Sequence, residues 1–169
     1  MNKSLVKSIN IINNGVYTVE KTVAMIGLFS LVALISIQVV ARYFLKTSTP
    51  WSEELARYVF IWTSYVGCGM CFAKKKHIVI DLIDEVANKT KKPRQILFVV
   101  EKFTMIASIV FLCFFLSKYW IYFMRIVKLG RSATALNLPM AIPYFSVIAG
   151  STLMIWHAFV ILVQPFKNE

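Results

Sequence analysis

The chain has 169 residues, 58% apolar, 14% aromatic and 16% charged, and its 19 Lys and Arg against 8 Asp and Glu give a net charge of +11. An ordinary soluble domain carries about 25% charged residues, and a disordered basic tail lacks this apolar content, so neither class fits. Nucleic acid is not an expected partner, because the basic residues fall between long uncharged runs, the layout of a membrane protein with its charges in the loops.

The first uncharged run, Thr22 to Ala41, is 20 residues long. At 1.5 Å per residue it reaches about 30 Å, the thickness of a bilayer's hydrocarbon core. It ends in Ala41-Arg42-Tyr43-Phe44 with no small-residue cleavage site, so it reads as a retained span and not as a signal peptide. Thr49-Pro50-Trp51-Ser52-Glu53-Glu54 then opens a second helix. Thr49 can cap it, Pro50 suits the first helical position, and the two acids complement the positive end of the dipole. Glu53 and Arg57 form an i,i+4 pair. The uncharged run that follows, Tyr58 to Ala73, has 16 residues and spans if Arg57 and Lys74 extend toward the headgroups.

The second connection is strongly basic, with Lys74, Lys75 and Lys76 followed by His77. Across residues 77–87 the apolar Ile78, Val79, Leu82, Ile83 and Val86 share one helical face, with His77, Asp81, Asp84 and Glu85 opposite. That pattern predicts a short amphipathic helix lying in the interface, with an extension of helix two as the alternative. The third helix is expected to start near Pro93 and stop at Gly130, with its span over about 96–123. Tyr119, Trp120, Tyr122 and Phe123 beside Lys118 and Arg125 resemble an interfacial aromatic belt. A fourth span fills about 143–163, inside a stretch free of Asp, Glu, Lys and Arg from Ser132 to Phe166. The expected fold is therefore an all-α integral membrane protein: four transmembrane helices, one interfacial helix, and a single membrane domain over 1–169.

Twelve basic residues lie on the side of the termini and seven on the other, which predicts both termini in the cytoplasm. The spans hold little chemistry. Helix one offers Gln38 and helix four offers His157, with no buried acid expected, which argues against a stand-alone proton-coupled pump or small exporter. A bis-histidine haem between His77 and His157 is an alternative, but His77 follows three lysines and belongs to the headgroup zone, so His157 is expected to hydrogen-bond across the bundle or to headgroups. Cys68-x-x-Cys71 and Cys113 read as buried small residues, and Gly67 and Gly69 as a close-packing face. No cofactor or metal site and no catalytic constellation is expected, so the chain does not read as an enzyme.

Taken together, Ala41-Arg42-Tyr43-Phe44, Pro50-Trp51-Ser52-Glu53-Glu54-Leu55-Ala56-Arg57-Tyr58, Trp62, Gly67, Lys76-His77-Ile78-Val79-Ile80-Asp81-Leu82 and Leu129-Gly130-Arg131-Ser132-Ala133-Thr134-Ala135-Leu136-Asn137-Leu138-Pro139 resemble the small membrane subunit of tripartite ATP-independent periplasmic (TRAP) transporters. The resemblance runs from about Gly27 to His157. It implies a multi-pass protein of the bacterial inner membrane that joins a large permease subunit. A periplasmic binding protein delivers an organic acid, such as sialic acid or a C4-dicarboxylate, and sodium drives uptake. Trp51, Glu53, Glu54 and Arg57 match the family's helix-two signature, and His77 its cytoplasmic histidine. The chain resembles the unfused form, a scaffold without a catalytic role.

Candidate partner contacts are Arg42, Lys46, Trp51, Glu53, Glu54, Arg57, Lys128 and Arg131. Candidate lipid or cytoplasmic-interface contacts are Lys74, Lys75, Lys76, His77, Tyr119 and Trp120. The rival class is an independent four-helix protein, either a haem-binding redox subunit or a small exporter.

Overall fold

A computed structural model describes residues 3–73 and 93–163, with side chains over 8–73 and 99–163. Among the described residues there are four helices and no strand: α1 (Lys3–Tyr43), α2 (Pro50–Ala73), α3 (Pro93–Leu129) and α4 (Ala141–Val163). The expected amphipathic segment 77–87, with Lys74, Lys75, Lys76 and His77, lies outside the described residues. Three helices are long and apolar enough to cross a membrane, within Ser8–Tyr43, Val99–Leu129 and Ala141–Val163. The 24-residue α2 is long enough for a bilayer, but its first two turns carry Glu53, Glu54 and Arg57.

The helix limits follow local chemistry. Pro50 is the first residue of α2. Thr49 stands just before it, and its backbone carbonyl accepts from the Ser52 amide at 3.1 Å and the Ser52 hydroxyl at 2.9 Å, whereas the side-chain cap expected of Thr49 is not seen among the described residues. The same hydroxyl also donates to Thr49 Oγ1 at 2.9 Å. At the end of α1 the Thr47 amide donates to the Ala41 carbonyl at 3.0 Å, around Lys46 at φ 51°. α3 begins at Pro93 and stops before Gly130, whose φ of 56° is the left-handed conformation a helix end favours glycine for.

α1 is 41 residues long, or about 60 Å, and extends well before Thr22. Charge-free length marks the part a bilayer can hold, whereas helix length is set by hydrogen bonding and packing, and the helix continues through Glu20 and Lys21. α1 packs on α2, α2 on α4, and α4 on α3. α1 and α4 meet over a smaller area, and α3 makes no close approach to α1 or α2 among the described residues. The four therefore stand as a row, α1–α2–α4–α3. Half of the most apolar stretch of α4 is buried in the chain, against 11% for α1 and α3. The flanking helices instead present Phe29, Val32, Phe103, Val110 and Phe111 outward.

Close approach within the row depends on two glycines. A Cβ on Gly150 of α4 would lie 2.7 Å from Tyr65 Cβ and 2.9 Å from the Tyr65 carbonyl oxygen, so α4 rests directly on the α2 backbone. A Cβ on Gly27 of α1 would overlap Thr63 Oγ1. The small-residue face expected on α2 is half present. Gly69 is buried beneath Glu20, whereas a Cβ on Gly67 would meet nothing in the chain. Cys68, Cys71 and Cys113 are free and exposed, not buried as their apolar surroundings suggested. A row leaves one side of each central helix uncovered, and Cys68 and Cys71 lie on that side of α2.

Candidate functional site

Polar side chains gather at the two ends of the row. At the end holding the 44–49 and 130–140 connections, the loop end, α1 and α2 enclose a cleft of about 570 Å³. Arg42, Lys46 and Glu53 line it together with Gln38, whose amide nitrogen is buried without a partner among the described residues. Glu53 also pairs with Arg57 at 3.4 Å, the expected i,i+4 bridge, with both side chains more than 60% exposed. A pair this wet contributes only a few tenths of a kcal/mol.

Glu54, one residue on, behaves differently. Its carboxylate accepts from three successive backbone amides of the 130–140 connection: Thr134 at 3.1 Å, Ala135 at 3.0 Å and Leu136 at 3.0 Å. That connection is closed on itself. The Ala133 amide donates to Leu138, Asn137 to Ala133 and Met140 to Arg131, and Ser132 pairs with Pro139. Three amides pointing one way form an anion-binding nest, and Glu54 fills it. The side chain read as a partner contact therefore clasps the chain's own loop to α2. Lys128 and Arg131 are exposed around this loop, on the opposite flank of the row from Arg42 and Lys46. The structure thus divides the candidate basic residues into two groups. Trp51 is 44% exposed beside the start of α2 and Trp120 52% exposed on α3. Tyr119 is not free: its hydroxyl donates to the Tyr144 carbonyl at 3.0 Å, tying α3 to α4.

At the opposite end is a group that charge-free length concealed. His157 of α4 is 0% exposed and Glu20 of α1 is 3% exposed. His157 Nε2 lies 3.0 and 3.1 Å from the two Glu20 carboxylate oxygens, and Nδ1 lies 2.8 Å from Asn13 Oδ1. The expected cross-bundle hydrogen bond of His157 is present, with both ring nitrogens engaged, which leaves neither for a haem iron. The expectation of no buried acid is wrong. Glu20 sits two residues before Thr22, outside the uncharged run but inside the helix. Asn13, Glu20, Ala24 and Gly27 fall at helical spacing on one face of α1, and that stripe was the available signal. The absence of an acid therefore no longer argues against a pump. What argues against it now is the placement of the carboxylate, which is turned onto His157.

Nearby, the ammonium of Lys102 on α3 donates to the Ile161 and Leu162 carbonyls, the latter at 2.9 Å. A cation there satisfies acceptors and complements the negative end of α4. Glu20, Asn13 and Lys102 thus fasten α4 to both flanking helices. Among the described residues no cluster of three or more His, Cys, Asp or Glu could hold a metal.

A family model described as tripartite ATP-independent periplasmic transporters, DctQ component, matches residues 31–168. The chain is 29% identical over 149 residues to a protein of Haemophilus influenzae named as a TRAP transporter small permease, covering 83% of this chain and 88% of that one. It is 26% identical over 128 residues to the sialic acid TRAP transporter small permease protein SiaQ of Vibrio cholerae, covering 75% and 71%. It is also 26% identical over 132 residues to the isethionate TRAP transporter permease protein DctMQ of Oleidesulfovibrio alaskensis, covering 74% of this chain and 20% of that longer one.

Proposed function

Because the chain belongs to the tripartite ATP-independent periplasmic transporters as their DctQ component, a transporter subunit and not an enzyme, we propose that it is the stationary scaffold of a binding-protein-dependent uptake system. It joins a large permease subunit in the bacterial inner membrane and braces it while the permease carries solute. The name of the longer relative, DctMQ, supports that association, because a segment similar to this chain makes up a fifth of it. The observation that carries the scaffold reading is the row itself. Gly150 seats α4 on α2 and Gly27 seats α1 on α2, the Glu20–His157 pair ties α1 to α4, and the flanks present broad apolar faces suited to lipid and to a partner. A moving domain that crosses about 30 Å of hydrocarbon works against something fixed.

The solute is an organic acid, with sialic acid the first to test on the strength of the Vibrio relative and a C4-dicarboxylate second, and sodium is the coupling ion. All four helices span, α2 included, with its charged first turns at the headgroups. Both termini face the cytoplasm, following the twelve-to-seven division of basic residues, which puts the loop end in the periplasm. There Arg42, Lys46, Lys128 and Arg131 offer basic contacts to the binding protein on the two flanks. Sodium-driven uptake in proteoliposomes holding permease and binding protein tests the reading. Uptake falls at least tenfold when this chain is omitted, and full uptake without it would reject the scaffold role.

A further inference from the structure

At the loop end a second cavity, of about 460 Å³, opens between α2, α4, Tyr119 of α3 and the base of the 130–140 connection at Ala133 and Met140. Its wall is apolar over Ile61, Val147 and the rings of Tyr65 and Tyr144, and its charged rim is Arg57 and Glu54. The two rim charges are not equivalent. Both Glu54 oxygens are held by loop amides, whereas the Arg57 side chain is 64% exposed and among the described residues has only a 3.4 Å contact to an equally wet Glu53. An anion can replace that contact at little cost. Tyr58 adds a further polar demand. It forms part of the wall, is nine-tenths buried, and its hydroxyl has no partner among the described residues. A buried donor left unsatisfied is costly, so an occupant bearing an acceptor is favoured over a plain hydrocarbon.

We propose that this cavity is a binding site for one phospholipid of the loop-end leaflet, with its phosphate on Arg57 and an acyl chain along Ile61, Tyr65 and Val147. The chemistry matches in sequence and in depth. The guanidinium precedes the apolar wall by one turn, about 5.4 Å, which is the order of phosphate and chain in a lipid. Tyrosines line the boundary, as they do at membrane interfaces. A guanidinium takes a phosphate in bidentate geometry. The bound lipid fills the gap between the two central helices beside the Glu54 clasp, at the end away from the Glu20–His157 contact. The site requires only that the chain lie in a membrane, so its test is separate from that of the scaffold role.

The full chain, exchanged into micelles containing dioleoyl phosphatidylglycerol, is examined by native mass spectrometry. One phospholipid is expected to survive delipidation, and its retention falls about tenfold in Arg57→Gln, the loss of one charge-assisted contact. Val147→Trp fills the wall and abolishes retention. Phe29→Leu, on the outward face of α1, leaves it unchanged. Excess inorganic phosphate does not displace the lipid, because phosphate leaves the apolar wall uncovered. Arg57→Gln alters an exposed side chain and keeps the test valid if Val147→Trp fails to fold. Equal retention in the wild type and Arg57→Gln, displacement by phosphate alone, or a photoreactive group at Ile61 that crosslinks to the permease and not to lipid would each overturn the proposal.

Discussion

Glu20 and Glu54 stand at opposite ends of the row, and the same side-chain type does different physical work at each. Glu20 is closed off with His157 and Asn13 between α1 and α4. Glu54 is half-exposed and holds three amides of a loop 80 residues away in sequence. A buried pair is strongly destabilising to break and nearly neutral to replace whole by apolar groups. A partly wet clasp orders a loop without carrying the fold. The far end is thus fastened through helix-to-helix contact, and the loop end through a surface element that can be remodelled.

Breaking the buried pair has the largest expected effect. Glu20→Ala leaves His157 buried beside a gap and lowers stability by about 3–5 kcal/mol, read as a fall in detergent melting temperature. Glu20→Met combined with His157→Leu recovers most of that loss. A double variant as unstable as the single would show that the pair is not acting as a unit.

Gly150→Ala comes next. Its methyl group meets Tyr65 backbone as well as side chain, so α2 and α4 must separate, at about 1–3 kcal/mol. Gly27→Ala meets the Thr63 hydroxyl, which can rotate away, and costs less. A larger effect at Gly27 would place the tightest contact of the row between α1 and α2.

Glu54→Ala sharpens the contrast. The amides of Thr134, Ala135 and Leu136 lose their acceptor, about 1–3 kcal/mol locally. Their hydrogen exchange accelerates while the helices keep their protection. Exchange spreading into α4 would mean that the clasp supports the fold. Glu53→Gln, at the exposed pair with Arg57, changes stability by less than about 0.5 kcal/mol.

Much of this arrangement was legible in sequence. Pro50 and Pro93 start helices, Gly130 ends one, Glu53 pairs with Arg57 as its spacing predicts, and the ordered motifs from Ala41 to Pro139 pointed to the family. What was not legible needed a third dimension. Charge-free runs cut α1 at Thr22 and so hid Glu20, because they measure what lipid tolerates and not where the helix begins. The nest that captures Glu54 forms only when the loop closes on itself. The exposure of Cys68 and Cys71 follows from helices standing in a row, an order that no single helix encodes.

The central claim is that the row does not move while its partner does. Spin labels replacing Phe29 on α1 and Phe111 on α3, both exposed on the flanks, report the width of the row by pulsed electron resonance in the assembled transporter. The account predicts the same distance with and without sodium and solute. A change on the order of 5 Å, one helical turn, would show that the row itself rearranges and would contradict a stationary scaffold.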